Sequence, residues 1–189
     1  MEGKQPIGIF DSGIGGLTVA KEISILLPNE QIIYFGDTAH FPYGDKSEES
    51  IRKYSKGISE FLFNQNCKTI IIACNTASSL ASGFLRSFLP KNLPLIDVIV
   101  PVAKFLQSSS YKKVGVIATK GTIGSGIYSK RINELSPEIE VSSLATPLLA
   151  PMIEEAFFDN NISHTVINEY LSHQELEKIQ ALILGCTHY

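Results

Sequence analysis

The sequence predicts an α/β protein with two similar domains, each built on a mainly parallel sheet flanked by helices. Short runs of β-branched and aliphatic residues alternate with helical patterns along the chain, which is typical of parallel strands joined by crossover helices. Two of these runs, at residues 69–73 and 181–185, are each followed by a cysteine and small polar residues. Because ligands bind at the carboxyl ends of parallel strands, we expect Cys74 and Cys186 to face one cleft between the two domains.

The first domain is predicted to span residues 1–97. Its strand patterns lie at residues 7–10, 31–35, 69–73 and 95–100. Its helical patterns lie at residues 17–27, 48–66 and 77–88. Ser47 is a suitable N-cap for the second helix, because Glu48 and Glu49 follow it in the first turn.

The second domain is predicted to span residues 98–189, after a stretch punctuated by Pro90, Pro94 and Pro101. Strand patterns lie at residues 113–118, 138–144 and 181–185, and helical patterns lie at residues 127–135, 147–158 and 162–177. Residues 119–125 are predicted to form a small polar loop. No helical pattern follows the last strand to cover the sheet, so we expect a further C-terminal segment beyond Tyr189.

The composition is that of a globular protein without an acidic or basic bias. The chain has 189 residues, 44% hydrophobic and 19% charged, with a net charge of −3, so no nucleic-acid or anionic membrane partner is expected. No apolar run is long enough to span a bilayer, and the first five residues lack the apolar stretch of a signal peptide. The three cysteines are widely spaced and odd in number. This pattern favours a reducing cytoplasm over a disulfide framework.

The glycine-rich turn at residues 11–16 invites comparison with a dinucleotide-binding loop. Gly13 and Gly15 are present, but Thr18 stands where the third glycine of that fingerprint belongs. Asp37, the first acidic residue after the second strand, comes only after an extra glycine. The turn more readily allows close backbone approach to a small anionic ligand, with Asp11 either as a helix cap or as a functional carboxylate.

The two cysteines leave several readings open. A buried cysteine is often a small hydrophobic residue, but two at equivalent strand ends favour reactive thiols, whose pKa a helix N-terminus lowers. Cys186 and His188 alone are too few ligands for a zinc site, although a cysteine nucleophile with a histidine base is a further option. Cys67 lacks such surroundings and is interpreted as structural.

Four motifs together resemble the bacterial glutamate racemases of the aspartate/glutamate racemase superfamily. They are Asp-Ser-Gly-Ile-Gly-Gly at residues 11–16, Pro-Tyr-Gly at 42–44, Ala-Cys-Asn-Thr-Ala-Ser at 73–78 and Leu-Gly-Cys-Thr-His-Tyr at 184–189. The resemblance covers essentially the whole chain and agrees in order and spacing. It implies a cofactor-independent racemase that interconverts L- and D-glutamate, for peptidoglycan synthesis in the cytoplasm. It also implies that the missing C-terminal segment returns to the first domain. Analogy with such enzymes suggests a homodimer.

The resemblance also implies roles for individual residues. Cys74 and Cys186 are the expected acid/base pair, supported by Asp11, Glu154 and His188; a second carboxylate, Glu155, is adjacent to Glu154 in the sequence. The expected substrate contacts are Asp11, Ser12, Tyr43, Gly44, Asn75, Thr76, Thr187 and His188. No lysine lies in a Schiff-base motif, so neither pyridoxal phosphate nor any other cofactor or metal is expected.

Three classes of function follow. The first is the glutamate racemase, the second is a related racemase or isomerase acting on aspartate, a hydantoin or maleate, and the third is a non-catalytic binding module of the same fold. The substrate profile separates the first two, and loss of α-proton exchange with retained ligand binding would mark the third.

Overall fold

The computed structural model describes residues 5–189, so most of the N-terminal segment considered for a leader lies outside it. The chain divides into two compact units, which meet in sequence between Val98 and Ile99. Each unit is an α/β structure with a parallel sheet flanked by helices, so the predicted fold class is confirmed. In the described part of the chain, no helix is both long and apolar enough to cross a membrane.

The first unit holds a four-stranded parallel sheet in the order β2-β1-β3-β4. Its elements in chain order are β1 (Ile7–Asp11), α1 (Leu17–Leu26), β2 (Ile32–Gly36), α2 (Glu48–Asn64), β3 (Thr69–Ile72), α3 (Asn75–Phe88) and β4 (Leu95–Asp97). The Ser47 side chain accepts a hydrogen bond from the Ser50 amide at 3.2 Å, so the predicted N-cap of α2 is confirmed.

Alternating side chains of β1 and β3 pack on opposite faces of this sheet. Phe10 and Ile72 belong to the buried cluster that also contains residues of α2 and α3. Ile9 and Ile71 face the other side, where Ala20 of α1 is buried against them. Since both faces of the two central strands are buried, the carboxyl ends of β1 and β3 are held firmly side by side.

Gly16 allows α1 to start directly against the end of β1. A Cβ at this position would lie 2.5 Å from the Asp11 Cβ and 2.9 Å from the Ala73 Cβ, and real side chains do not approach so closely. The glycine is therefore required by close packing beside Asp11.

Replacing Gly16 by alanine is expected to lower the free energy of unfolding by about 1–3 kcal/mol, because the added methyl group overpacks a filled space. Urea unfolding followed by circular dichroism measures the change. The matched control is Gly83→Ala within α3, where a Cβ meets no atom within 4 Å. This control should leave stability unchanged or raise it by about 0.5–1 kcal/mol. Equal effects of the two substitutions would contradict the packing argument.

The second unit repeats the strand order of the first with one strand fewer. Its elements are α4 (Ile99–Gln107), β5 (Lys113–Ala118), α5 (Lys120–Gly124), α6 (Ile127–Leu135), β6 (Glu140–Ala145), α7 (Leu149–Glu154), α8 (Asn161–Leu171), a 3-10 turn (Gln174–Leu176) and β7 (Ala181–Gly185). The parallel sheet has the order β6-β5-β7, so the first strand is central and is flanked by the second and third, as in β2-β1-β3. Val114 and Val116 pack against α4 and α6 in its core.

Some predicted elements differ from the observed ones. Residues 95–100 were expected to be one strand, but β4 stops at Asp97 and α4 begins at Ile99. A short aliphatic run does not distinguish strand from buried helix, and Pro101 fits the first turn of a helix, where its missing N–H costs no hydrogen bond. The expected loop at 119–125 contains α5, because the Thr119 side chain caps it. The helices predicted at 147–158 and 162–177 are shorter, as α7 and α8.

Candidate functional site

Cys74 is the N-cap of α3 and lies two residues after the end of β3. Its backbone is extended (φ −71°, ψ 123°), and its sulfur accepts a hydrogen bond from the Ala77 amide at 3.4 Å. The side chain is 4% exposed. An N-cap sulfur receives the partial positive charge of the helix N-terminus, which stabilises a thiolate relative to a thiol.

Asp11 and Ser12 lie at the end of β1, beside Cys74. The Cys74 thiol donates to the Ser12 hydroxyl at 3.6 Å. The Asp11 carboxylate is fully buried and accepts a hydrogen bond from the Gly13 amide at 3.0 Å. Asn75 and Thr76, the first two residues of α3, are also buried. The structure therefore brings five of the residues singled out in the sequence to one edge of the first sheet.

Tyr43 and Gly44 lie in the loop that follows β2. The Tyr43 ring is 1% exposed and belongs to the same buried cluster as Cys74. Its hydroxyl donates to the Asp37 carboxylate at 2.6 Å. Burial, followed by this hydrogen bond, raises the pKa of Tyr43, so the hydroxyl stays protonated and remains a donor. Gly44 is half-buried and has no side chain, so the accessible groups of this pair belong to the backbone.

Cys186 lies directly after β7, in line with a histidine and a glutamate of the same unit. The Cys186 sulfur is 3.4 Å from Nδ1 of His188, and Nε2 of His188 is 2.6 Å from Oε1 of Glu154. Because a carboxylate only accepts hydrogen bonds, Nε2 carries the proton that it shares with Glu154. Nδ1 is thereby left to exchange a proton with the sulfur, and a chain of three groups leads from the thiol to Glu154.

Glu154 is the last residue of α7, and the rest of that helix anchors it. Met152 and Ile153 line an apolar cavity of about 320 Å³ together with Leu182 of β7. Glu154 and the adjacent Glu155 are both exposed, but the Glu154 carboxylate contacts His188. The structure therefore distinguishes two carboxylates that the sequence did not, and it places Glu154 on His188.

The turn that carries Cys186, Thr187 and His188 is tied to the sheet through Tyr189. The Tyr189 hydroxyl lies 2.8 Å from the Thr146 hydroxyl and donates to the Thr146 carbonyl at 3.2 Å. The buried Thr146 side chain in turn donates to the carbonyl of Ala118 at 3.2 Å. Burial raises the pKa of Tyr189, so its hydroxyl stays protonated and the turn stays fixed across β5 and β6. Thr187 is half-buried in it.

Thr119 is a residue that the sequence analysis did not single out. Ala118 pairs with Gly185 in the parallel register, and Thr119 and Cys186 each follow by one residue. In the first sheet Phe10 pairs with Ile72, and Ser12 and Cys74 each follow by two. A hydroxyl residue thus accompanies each cysteine at a strand end. The small polar residues that follow β5 were the available signal, but their composition predicts only a loop.

Within residues 5–189, no group of three or more histidine, cysteine, aspartate or glutamate side chains is arranged to hold a metal ion. The cysteines at the two sheet edges are instead surrounded by hydroxyl, amide, imidazole and carboxylate groups. These groups accept and donate protons, so the arrangement suits acid/base chemistry at a thiol.

Comparison with known proteins decides the family. The family model described as Asp/Glu/Hydantoin racemase matches residues 17–189. The chain belongs to the Asp/Glu/Hydantoin racemase family. Relatives named glutamate racemase confirm the resemblance seen in the sequence and the predicted class of enzyme, an amino-acid racemase.

Relatives of this racemase are similar in both sequence and structure. The glutamate racemase of Geobacter metallireducens is 47% identical over 184 residues, which cover 97% of this chain and 67% of the relative. The crystal structure of the Francisella tularensis enzyme in complex with D-glutamate has 48% identity and a TM-score of 0.91, covering 98% of this chain and 70% of that one. The Escherichia coli enzyme, in complex with L-glutamate and the activator UDP-MurNAc-ala, has 29% identity and a TM-score of 0.74, covering 97% and 70%.

Proposed function

We propose that this racemase interconverts L- and D-glutamate by transferring the α-proton between two thiols, Cys74 and Cys186, without a cofactor. The observation that carries the proposal is that each unit places one cysteine just beyond its third strand, among groups that stabilise a thiolate or move its proton. The glutamate-bound relatives support the choice of substrate.

Racemisation removes the α-proton from one face of the substrate and returns a proton to the other face. In the proposed reaction, one cysteine is a thiolate and takes the α-proton, and its S–H bond forms as the Cα–H bond breaks. The other cysteine is a thiol and gives its proton to the opposite face of the carbanion, becoming the thiolate. The two thiols exchange protonation states in each turnover, so the reverse reaction uses the same groups with their roles exchanged.

The two thiols are supported by different means. At Cys74, the α3 N-terminus stabilises the thiolate directly through the Ala77 amide. At Cys186, the His188 ring accepts the thiol proton on Nδ1, and the Glu154 carboxylate stabilises the resulting positive charge from the other side of the ring. Glu154 and His188 therefore act on the substrate through Cys186 in this mechanism.

The carbanion requires stabilisation of the α-carboxylate, into which its negative charge delocalises. We assign this task to Asn75, Thr76 and Thr187, whose amides and side chains lie beside the two cysteines in sequence, and to Ser12 at the end of β1. The Tyr43–Gly44 backbone is the proposed partner of the second carboxylate. Asp11, fully buried beside Cys74, is the proposed partner of the substrate ammonium group.

The cellular setting is also part of the proposal. An N-acetylmuramic acid derivative is named as activator of the E. coli relative, and this sugar belongs to peptidoglycan. D-Glutamate made by this racemase in the cytoplasm would accordingly supply cell-wall synthesis. The proposed assembly is a homodimer. The proposed functional domains are residues 1–97 and 98–189.

The test measures exchange of the substrate α-proton in deuterated buffer. The full-length protein is incubated with L- or D-glutamate and no added cofactor, and proton NMR follows the α-proton signal of the glutamate. Both enantiomers should lose the α-proton signal, and L- and D-aspartate, run in parallel, should keep it. In the first turnovers, deuterium should enter the product enantiomer and not the recovered substrate, because the two protons come from different thiols. Exchange of aspartate alone would assign the protein to the second class of function, and exchange only with added pyridoxal phosphate would refute the mechanism.

A further inference from the structure

We propose that Asp37 is a positioning residue of this racemase, whose carboxylate holds the loop of residues 38–46 so that the Tyr43–Gly44 backbone meets the substrate. The proposal rests on the proposed function, in which that backbone binds a substrate carboxylate. It adds a residue that neither the sequence motifs nor the acid/base chemistry required.

Asp37 is a buried carboxylate that receives hydrogen bonds from two side chains of its own loop. It is 6% exposed. The Tyr43 hydroxyl donates to Oδ2 at 2.6 Å, and Nδ1 of His40 lies 2.8 Å from Oδ1 and 3.0 Å from Oδ2. Because the carboxylate accepts from residues three and six positions further along the chain, it closes the loop around itself.

The backbone of Asp37 ties the same loop to the edge of the sheet. Its amide donates to the carbonyl of Asp11 at 3.0 Å, and Asp11 is the last residue of β1, beside Cys74. A single residue thus joins the end of β1, through its amide, to Tyr43, through its carboxylate. These two bonds restrict movement of Tyr43 relative to the Cys74 edge.

The far side of the loop is closed by an aromatic contact. The His40 ring stacks on Tyr54 of α2, with ring centroids 3.9 Å apart and an interplanar angle of 17°. Tyr43 itself is packed in the cluster that contains Ile51 and Ile58 of α2. The Asp37 carboxylate therefore links two aromatic side chains that are both docked on α2, and Gly44 follows the second of them directly.

The geometry also explains why Tyr43 is a tyrosine. Its hydroxyl is engaged by Asp37 inside the first unit, and its ring is 1% exposed. An unpartnered buried carboxylate is costly, so the hydroxyl satisfies Asp37 while the ring fixes the chain. Tyr43 then acts on the substrate through the position of its backbone and not through its hydroxyl.

The kinetic test compares Asp37→Asn, Tyr43→Phe and the double variant. Loss of a hydrogen bond to a charged group is expected to raise the KM for D-glutamate about tenfold and to change kcat by less than about threefold, because the loop binds ground state and transition state alike. The double variant should be no worse than the more affected single variant, since both substitutions break one link. The matched control is Asp45→Asn, at an exposed aspartate of the same loop, which should leave both constants unchanged.

A second measurement does not depend on turnover. Hydrogen–deuterium exchange followed by mass spectrometry should show that peptides covering residues 38–46 exchange about tenfold faster in Asp37→Asn than in wild type, while peptides of α3 are unaffected. Tyr43→Phe, which removes only the hydroxyl, should give the same pattern. It replaces Asp37→Asn as the test variant if Asp37→Asn folds poorly.

The outcomes separate this proposal from the function on which it rests. Unchanged exchange at residues 38–46, multiplicative effects in the double variant, or an equal loss of kcat would each overturn the role of Asp37. Faster loop exchange with an unchanged KM would overturn its link to the substrate. Absence of glutamate turnover in the wild type, together with faster loop exchange in Asp37→Asn, would defeat the proposed function and leave the restraint on the loop established.

Discussion

Replacing either Cys74 or Cys186 by serine is expected to lower the rate of glutamate racemisation by about 10³-fold or more. A serine hydroxyl is far less acidic than a thiol, so it neither takes the α-proton as an anion nor returns one readily. General acid/base groups contribute about 10²–10⁴-fold each, and both groups are needed in every turnover. Circular dichroism or an NMR assay of the two enantiomers measures the rate from each direction.

The control for these variants is Cys67→Ala. Cys67 is 4% exposed, lies in the buried cluster with Leu62, and has its pKa raised by burial. Removing its sulfur should leave kcat within about twofold while lowering stability by about 1 kcal/mol. Near wild-type racemisation by either Cys74→Ser or Cys186→Ser would show that the reaction does not use two thiols.

The second largest effect is expected for His188→Ala. Without the ring, the proton of Cys186 has no acceptor at Nδ1 and the Glu154 carboxylate has no partner on the path to the thiol. We expect kcat to fall about 10²-fold, in the range of a general acid/base group. Glu154→Gln should reduce kcat by about 10–100-fold, because it removes a charge-assisted hydrogen bond.

Glu155→Gln is the matched control for Glu154→Gln, since it makes the same change one residue later at an exposed position. It should leave kcat within about twofold. An activity loss in Glu155→Gln as large as in Glu154→Gln would mean that net charge, and not contact with His188, is responsible.

The sequence predicted those features that local patterns encode. The aliphatic runs before Cys74 and Cys186 were sufficient to place both cysteines at strand ends. Each run has the length of a buried strand and stops where small polar residues begin. The Ser47 cap was predictable for the same reason, since capping depends on a few neighbouring residues. The alternation of strands and helices then implied parallel sheets.

Features that depend on contacts between distant residues were not predictable in this way. Choosing Glu154 over Glu155 requires knowing which of the two carboxylates meets His188, 34 residues further along the chain from Glu154. The role of Asp37 requires the path of a loop that returns to it six residues later at Tyr43. The prediction of a strand through Val100 was wrong. β4 ends where its pairing with β3 ends, at Asp97, and no local sequence pattern encodes that pairing.

The unlike surroundings of the two cysteines are subject to a thermodynamic constraint. L- and D-glutamate have the same free energy in water, so the ratio of kcat/KM for the two directions must equal one whatever groups support each thiol. A substitution beside His188 therefore lowers kcat/KM for both enantiomers by one common factor, although it perturbs only one of the two proton transfers. Substitutions at either cysteine-bearing sheet edge can change kcat and KM together for one enantiomer, and so change which enantiomer saturates the enzyme at the lower concentration. They cannot give the enzyme a preferred direction.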